Sequence, residues 1–196
     1  LAVALTGEKV IREKVHDGAI LTRIASSHIR IGTFEYVNNF CSKEDLKMFM
    51  EYVINRHFPE IKDTDNPALE LLRTVMHKQI DLIVEWLRVG FIHGVMNTDN
   101  VSIAGETLDY GPCAFMNTYN PKTVFSSIDI NGRYAFQNQS TIGHWNMAVF
   151  ANTLIPLISN NQEEAIELAT NTLDTYPKIF SINYYKMMYK KLGILQ

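Results

Sequence analysis

The sequence predicts a mainly helical α+β domain, and three observations support this prediction. Strand-like patterns are confined to about the first forty residues, apolar residues at helical spacing fill most of the remainder, and an irregular polar segment at 91–112 interrupts the helical pattern. The chain has 196 residues, of which 46% are apolar and 20% charged. A length of this order suits one compact core, so we expect a single domain over 1–196.

The β-rich part of the domain is expected within residues 1–40. Short apolar runs there are separated by turn-forming residues, which is typical of an antiparallel element. The predicted strands are Leu1–Leu5, Val10–Arg12 and Ala19–Ile24, and the predicted turns are Thr6–Lys9 and Asp17–Gly18. Because Leu1 stands where an initiator methionine is expected and already lies in strand-like sequence, we expect the chain to be a fragment of a longer protein.

Five helices are predicted in the helical part of the domain, residues 41–196. Ser42 is a typical N-cap residue, Pro67 suits a first helical turn, and Gly90 suits a helix C-terminus. Between such signals, apolar residues recur every three or four positions, which indicates one buried face on each helix. The predicted helices are Lys43–Arg56, Pro67–Val89, Gly143–Leu157, Gln162–Thr172 and Pro177–Leu192.

The irregular segment contains a predicted β-hairpin. Its strands are Val101–Ile103 and Thr107–Leu108, joined through Ala104–Glu106. Asn100 precedes the first strand and Asp109 follows the second, so the hairpin is expected to bring an amide oxygen and a carboxylate together. Mg²⁺ prefers oxygen ligands and usually takes only one or two of them from the protein. Asn100 and Asp109 are therefore candidate ligands for Mg²⁺ or Mn²⁺.

Asp99 lies next to the candidate metal ligand Asn100. Its carboxylate is suited to bind water, orient a nucleophile or accept a proton. The alternative is that Asn97, Asp99 and Asn100 only form turns, because Asn and Asp side chains bond to nearby backbone groups. The residue types and their spacing leave both interpretations open.

The order of these parts resembles that of protein kinases, in which a catalytic loop H-R-D-x-x-x-x-N is followed by the triplet D-F-G. Aligning His93 with the loop histidine places Asn100 on the loop asparagine and Asp109–Gly111 on D-F-G. Val95 then occupies the position of the catalytic aspartate, and a valine side chain cannot accept a proton. Asn131–Tyr134 lies where a kinase carries its activation segment, and the sequence gives it no chemical role.

Longer motifs resemble the selenoprotein O family, and together they cover nearly the whole chain. The motifs are Gly18–Arg23, Ser26–Glu35, Gly90–Asn100, Leu108–Pro112 and Asn131–Gln139. The resemblance implies a protein-kinase-like fold, of which this chain would form chiefly the C-terminal helical lobe. It also implies transfer of AMP, rather than phosphate, from ATP to the hydroxyl side chains of Ser, Thr or Tyr in protein substrates.

The resemblance further implies roles for individual residues. Asp99 would accept the proton of the attacking hydroxyl, Asn100 and Asp109 would hold Mg²⁺, and Asp109 would thereby take part in ATP binding. Arg23 and Arg30 match two family arginines that contact nucleotide phosphates, which suits the fixed fork of a guanidinium group. The family's Gly-rich loop and nucleotide-binding lysine would precede this chain, so the intact protein is expected to be active and the fragment inactive.

Two other functions stay open. One is a nucleotide-binding pseudokinase that acts as an interaction module, and the other is an atypical kinase in which Asp99 replaces the missing base. The formal net charge of -3 gives no basic surface for nucleic acid, and no apolar run is long enough to span a bilayer. We therefore expect a cytoplasmic, monomeric bacterial protein whose partners are ATP and protein substrates, without nucleic acid or membrane.

Overall fold

The computed structural model describes residues 2–194, and in this range it shows an α+β arrangement of six helices and two small antiparallel sheets. The helices are α1 (Ile31–Phe40), α2 (Lys43–His57), α3 (Pro67–Val89), α4 (Gln139–Ile158), α5 (Gln162–Leu173) and α6 (Tyr176–Leu192). The strands are β1 (Ala2–Ile11), β2 (Val15–Thr22), β3 (Phe91–Ile92) and β4 (Ala114–Phe115). The predicted α+β class and the five predicted helices are confirmed, although α4 begins at Gln139 instead of Gly143.

The N-terminal β element is one long hairpin, so the predicted positions of its turns are wrong. β1 pairs with β2 in antiparallel register, and the turn between them lies at residues 12–14. Thr6–Lys9 forms an irregularity inside β1, and Gly18 lies inside β2 opposite it. A Cβ atom on Gly18 would lie 2.7 Å from Thr6 Oγ1 and 3.0 Å from the carbonyl oxygen of Glu8. The glycine is therefore required by the close approach of the bulged strand and not by a turn.

The strand-like pattern predicted up to residue 40 is wrong over its last part, because residues 31–40 form α1. Ile31 and Phe34 are fully buried in the main core, and their spacing of three residues places them on one helix face. The Thr33 hydroxyl accepts the amide of Arg30 at 3.2 Å and so stabilises the first turn. Packing of this face outweighs the strand preference of the β-branched residues in this segment.

α3 is the central helix of the core and contacts α4, α5 and α6. Asn66 caps its N-terminus by accepting the amide of Leu69 at 3.1 Å, and Gly90 ends it with a φ angle of 73°. The fully buried residues of α3 are Leu71, Leu72, Val75, Met76, Ile80 and Ile83. None of the helices within residues 2–194 combines the length and the apolar character that crossing a bilayer requires.

The irregular segment is framed by β3 and β4, a pairing that the sequence did not predict. Phe91 pairs with Phe115 and thereby closes residues 91–115 into one loop region. The predicted hairpin within it is present in reduced form, as a single antiparallel bridge between Val101 and Thr107. Residues 91–100, named the candidate loop, thus lie between the end of α3 and this bridge.

We expect Gly143→Ala to destabilise the protein by about 1–2 kcal/mol, because its Cβ would overlap Ile83 Cδ1 and lie 2.7 Å from the Tyr176 hydroxyl. A glycine-to-alanine change inside a helix otherwise stabilises a protein by about 1 kcal/mol. A decrease in the free energy of unfolding would therefore itself indicate the overlap. Ile83→Val removes the overlapping methyl group, and the double variant should lose less than the sum of the single losses. Urea unfolding measures all three values, and simple additivity would contradict the expected overlap.

Candidate functional site

The candidate loop is held by two amide side chains of α4. Gln139 Nε2 donates to the carbonyl of Phe91, and Gln139 Oε1 accepts from the amide of His93, both at 3.0 Å. Two turns further along α4, Asn146 Nδ2 donates to the carbonyl of Met96 at 3.0 Å. Both amide side chains are fully buried, where a hydrogen bond is stronger than in water. The path of the loop is therefore set by α4.

Residues 23–31 form a strap, from the end of β2 to the first residue of α1, that lies beside residues 101–109. The contacting pairs are Ile31 with Val101, Arg30 with Ser102 and Ile29 with Ile103 through their backbones, and Ser26 with Glu106 and Arg23 with Asp109 through side chains. Backbone hydrogen bonds of 3.0 and 3.1 Å join the first and the third of these pairs. The strap therefore carries both candidate arginines along the segment that ends in Asp109.

Glu106 fixes the middle of the strap. Its carboxylate accepts the hydroxyl and the amide of Ser26, the latter at 2.9 Å. These two hydrogen bonds, that of the hydroxyl first, lower the pKa of Glu106, and the charge of Lys78 lowers it further. Glu106 is thus a charged anchor for the strap near neutral pH.

Asp99 is exposed, but its backbone is held from two sides. It lies in a single 3-10 turn at Thr98–Asn100, in which the amide of Asn100 donates to the carbonyl of Asn97 at 2.9 Å. On the other side, a Cβ atom on Gly32 in the first turn of α1 would lie 3.3 Å from both Cα and N of Asp99. The absence of a side chain on Gly32 lets α1 approach the turn this closely. The carboxylate of Asp99 is therefore presented to solvent on a fixed backbone.

Asn100 and Asp109 each have an oxygen that can bind a cation. Asn100 Nδ2 donates to the carbonyl of Val95 at 3.1 Å, which fixes the amide group. Its Oδ1 is then the atom that could bind a cation. Asp109 Oδ1 accepts from Arg23 at 2.9 Å, and Oδ2 is its second oxygen. Within residues 2–194 no three His, Cys, Asp or Glu side chains are grouped so that they could hold a metal ion. An amide oxygen and a carboxylate oxygen are the kinds of ligand that Mg²⁺ prefers, and Mg²⁺ seldom takes many of its ligands from the protein.

The two candidate arginines have different surroundings. Arg23 Nη1 donates to Asp109 and, at 3.1 Å, to the carbonyl of Leu108, and both members of the ion pair are about one-third exposed. Arg30 is the N-cap residue of α1, and its Nη1 donates to the carbonyl of His28 at 2.9 Å. The structure therefore brings Arg23 to a candidate metal ligand and directs Arg30 to the backbone of the strap.

An open cleft of about 1170 Å³ lies beside the Arg23–Asp109 pair. It is bounded by the strap, by α3 and by the segment 105–110, and its lining includes Leu21, Arg23, Ile24, Ser26, Leu82, Glu106, Leu108 and Tyr110. Apolar side chains together with a few charged and hydroxyl groups are typical of small-ligand sites, and the volume is ample for a nucleotide.

His93 has a structural position in the candidate loop. The side chain is 1% exposed, and its Nδ1 accepts the amide of Val95 at 3.3 Å, which requires a neutral ring with the proton on Nε2. Burial lowers the pKa of His93, and the nearby charge of Asp109 opposes this shift in part. The histidine that aligned with the kinase loop is therefore a buried support of the loop backbone.

Gln139 and Asn146 were not identified as site residues from the sequence. Their one sequence signal is a spacing of seven residues, which places two amide side chains on the same face of an otherwise apolar helix. Buried amides need hydrogen-bond partners, so this pattern indicates contacts with a neighbouring backbone. It does not indicate which segment supplies that backbone.

Comparisons with known proteins place these residues in a wider context. A family model described as "Protein adenylyltransferase SelO" matches residues 1–196. The protein nucleotidyltransferase YdiU of Pelagibacter ubique (strain HTCC1062) is 54% identical over 194 residues, which are 99% of this chain and 40% of the relative. The proteins of the same name from Clostridium botulinum (strain Eklund 17B / Type B) and Nitrosococcus oceani are each 55% identical over 99% of this chain, covering 40% and 39% of their own lengths. The chain thus spans about two fifths of the length of these curated relatives.

We expect the protein to lose stability as the pH falls below about 6.5, the pKa of an unperturbed histidine. Because burial lowers the pKa of His93 in the folded protein, the unfolded chain binds more protons between that lowered value and about 6.5. Stability therefore rises with pH through this window and is fully present above it. Urea unfolding at a series of pH values measures the slope.

The pKa of His57 is also lowered, by burial and then by Arg56, so the measurement should be made in a His57→Gln background. A slope that persists there reports on His93. Unfolding free energies in this background that do not change between about pH 5 and pH 7 would contradict a neutral, buried His93.

Proposed function

The chain belongs to the SelO family of protein adenylyltransferases, and on this premise we propose that the protein transfers AMP from Mg–ATP to hydroxyl side chains of other proteins. The observation that carries the proposal is the contact between Arg23 and Asp109, 2.9 Å apart beside the open cleft. Arginine is suited to bind phosphate oxygens, and aspartate is suited to bind Mg²⁺. Their meeting at the end of the strap supports a site for a metal–nucleotide complex.

Each step of the transfer has a candidate residue. The hydroxyl oxygen of a Ser, Thr or Tyr acceptor attacks the α-phosphorus of ATP, its proton passes to the exposed carboxylate of Asp99, and the bond to the bridging oxygen breaks so that pyrophosphate leaves. Arg23 and Arg30 bind the phosphates and offset the negative charge of the leaving group. Asn100 and Asp109 would hold Mg²⁺ or Mn²⁺, which supplies further charge neutralisation at the phosphates.

We also propose that the fold is kinase-like and that this chain is chiefly its helical lobe. The candidate loop follows the long helix α3, and a bridged turn separates Asn100 from Asp109, in the order of the kinase catalytic loop and D-F-G. Because the chain spans about two fifths of its relatives, the remaining parts of a nucleotide site would come from outside it. We therefore infer that transfer requires the longer protein, a cytoplasmic monomer, and that the isolated chain is inactive.

A catalytically inactive pseudokinase that binds nucleotide is the second candidate. Val95 stands where a kinase has its base, and in the structure its backbone carbonyl accepts from Asn100. Asp99 is the carboxylate on the same loop that could replace that base, for AMP transfer or for phosphoryl transfer in an atypical kinase. The position of a labelled phosphate in ATP distinguishes the three functions, because only AMP transfer moves the α-phosphate to the acceptor.

We expect the longer protein to transfer label from α-labelled ATP in the presence of Mg²⁺, and Asp109→Ala to reduce the rate by at least a hundredfold through loss of a metal ligand. Asp99→Ala should slow transfer by about 10²–10⁴-fold, the range for loss of a general base. Asp63→Ala removes an exposed carboxylate outside the site and serves as the matched control. Transfer of γ-label would favour the atypical kinase, and nucleotide binding without any transfer would favour the pseudokinase.

We expect Arg23→Met to have opposite effects on two affinities. Without Arg23 the carboxylate of Asp109 is free, so the affinity for Mn²⁺ in the absence of nucleotide should rise several-fold, whereas the affinity for ATP should fall. Arg30→Met is the matched control, since Arg30 donates to His28 and not to Asp109. It should weaken ATP binding and leave Mn²⁺ binding unchanged. Electron paramagnetic resonance of Mn²⁺ and calorimetry with ATP measure the two affinities, and an unchanged Mn²⁺ affinity in Arg23→Met would count against competition for Asp109.

A further inference from the structure

The segment before α4 places a tyrosine hydroxyl on the candidate loop. Tyr134 donates its hydroxyl proton to Asn97 Oδ1, across thirty-seven positions of sequence. The Tyr134 ring is half-buried and packs on the small apolar cluster under the loop, which includes Trp86, Phe91 and Met96. The ring is therefore held by packing, and the hydroxyl reaches the residue that precedes the turn of Asp99.

The backbone that carries Tyr134 is itself closely fixed. The carboxylate of Asp129 accepts the amides of Arg133 and Tyr134, each at 2.8 Å. Asn138 Nδ2 donates to the carbonyl of Gly132, also at 2.8 Å. These bonds close a tight turn, and they present the tyrosine in one orientation without any contribution from the loop it touches.

The same turn is attached to α4 through the neighbouring side chain. The guanidinium group of Arg133 lies 4.7 Å from the centre of the Trp145 ring, a distance typical of a cation–π contact. Trp145 is adjacent in sequence to Asn146, which holds the carbonyl of Met96. The turn and the helix thus act on consecutive residues of the candidate loop, Met96 and Asn97.

Asn97 connects this contact to the 3-10 turn that contains Asp99. It is the N-cap residue of the 3-10 turn Thr98–Asn100, and its carbonyl accepts the amide of Asn100 at 2.9 Å. A change in the backbone torsion angles of Asn97 would therefore change the direction of the Asp99 side chain. Misplacement of a reacting group by about 1 Å is enough to reduce a rate by a large factor.

We propose that Tyr134 is a positioning residue that fixes the direction of Asp99 through Asn97. The proposal gives the segment 131–134 the chemical role that its sequence did not reveal. Its kinetic consequence rests on the proposed transfer of AMP, whereas its structural consequence, a fixed turn at 97–100, does not. The two consequences can be measured separately.

The first experiment measures hydrogen exchange in the longer protein. Tyr134→Phe keeps the packed ring and removes only the hydroxyl, so amide exchange in peptides that cover 97–101 should rise about tenfold while the melting temperature changes little. Tyr119→Phe removes an exposed hydroxyl from the same preceding segment and is the matched control, expected to leave this exchange unchanged. Equal exchange at 97–101 in the wild type and Tyr134→Phe would overturn the proposal, whether or not the protein has transferase activity.

The second experiment is a double-mutant cycle on the transfer rate. Tyr134→Phe should lower kcat about tenfold and leave KM for ATP unchanged, because the Arg23–Asp109 pair is not altered. Asn97→Ala should have a similar effect, and adding Tyr134→Phe to it should lower kcat by less than about twofold further, since the hydroxyl then has no partner to act on.

The outcomes separate this proposal from the proposed function. Independent, multiplying losses in kcat would overturn the path through Asn97 and leave the transferase intact. A wild-type protein that transfers no AMP would refute the proposed function, and the exchange measurement would still decide the role of Tyr134. Raised exchange together with coupled losses in kcat would support both.

Discussion

The contact between the strap 23–31 and residues 101–109 is the interaction on which the candidate site depends. Backbone bonds join residues 29–31 to residues 101–103, and the side-chain contact between Arg23 and Asp109 lies at the far end of the strap. The backbone bonds hold one end of the strap, and side-chain contacts hold the other end, where Arg23 and Asp109 meet. The ion pair beside the cleft is therefore supported by these backbone bonds and by the Ser26–Glu106 contact, in addition to its own attraction.

A second constraint comes from the buried amides of α4. Placing the amides of Gln139 and Asn146 in an apolar core is unfavourable unless they are hydrogen-bonded. Both polar atoms of the Gln139 side chain and Nδ2 of Asn146 bond to backbone groups of the candidate loop. The loop cannot move away without leaving buried groups unpaired, which costs about 1–3 kcal/mol for each group. The hydrophobic cluster under the loop and these amides therefore stabilise the same conformation. A loop fixed in this way can present an exposed carboxylate without help from the carboxylate itself.

The helices were predictable from the sequence because their signals are local. Pro67 and Gly90 mark the ends of α3 in the structure as they do in the sequence, and the apolar stripe between the ends is its buried face. α1 was missed because its short run is rich in β-branched residues and only two residues, Ile31 and Phe34, define the face that the core buries. The order of Asp99, Asn100 and Asp109 was likewise visible as a pattern. The support of the candidate loop could not be predicted. The partners of Gln139 and Asn146 lie about fifty positions away and are backbone atoms, which every residue has, so no residue type indicates them.

The different exposures of the Asp99 and Asp109 carboxylates suit the different roles proposed for them. In the proposed reaction Asp99 takes a proton from a hydroxyl on another protein, so it must be reachable by a large partner. Asp99 is exposed, on a backbone held by Gly32 and by the turn that Asn97 caps. In the same proposal Asp109 would hold a cation, and partial burial would strengthen that attraction because water is excluded. The Asp109 side chain is about one-third exposed and is paired with Arg23. Before any cation binds, the arginine lowers the cost of holding that carboxylate near an apolar cleft. Under the proposed function, a metal–nucleotide complex would offer phosphate oxygens to Arg23 and a cation to Asp109, so that neither charge would be left unpaired.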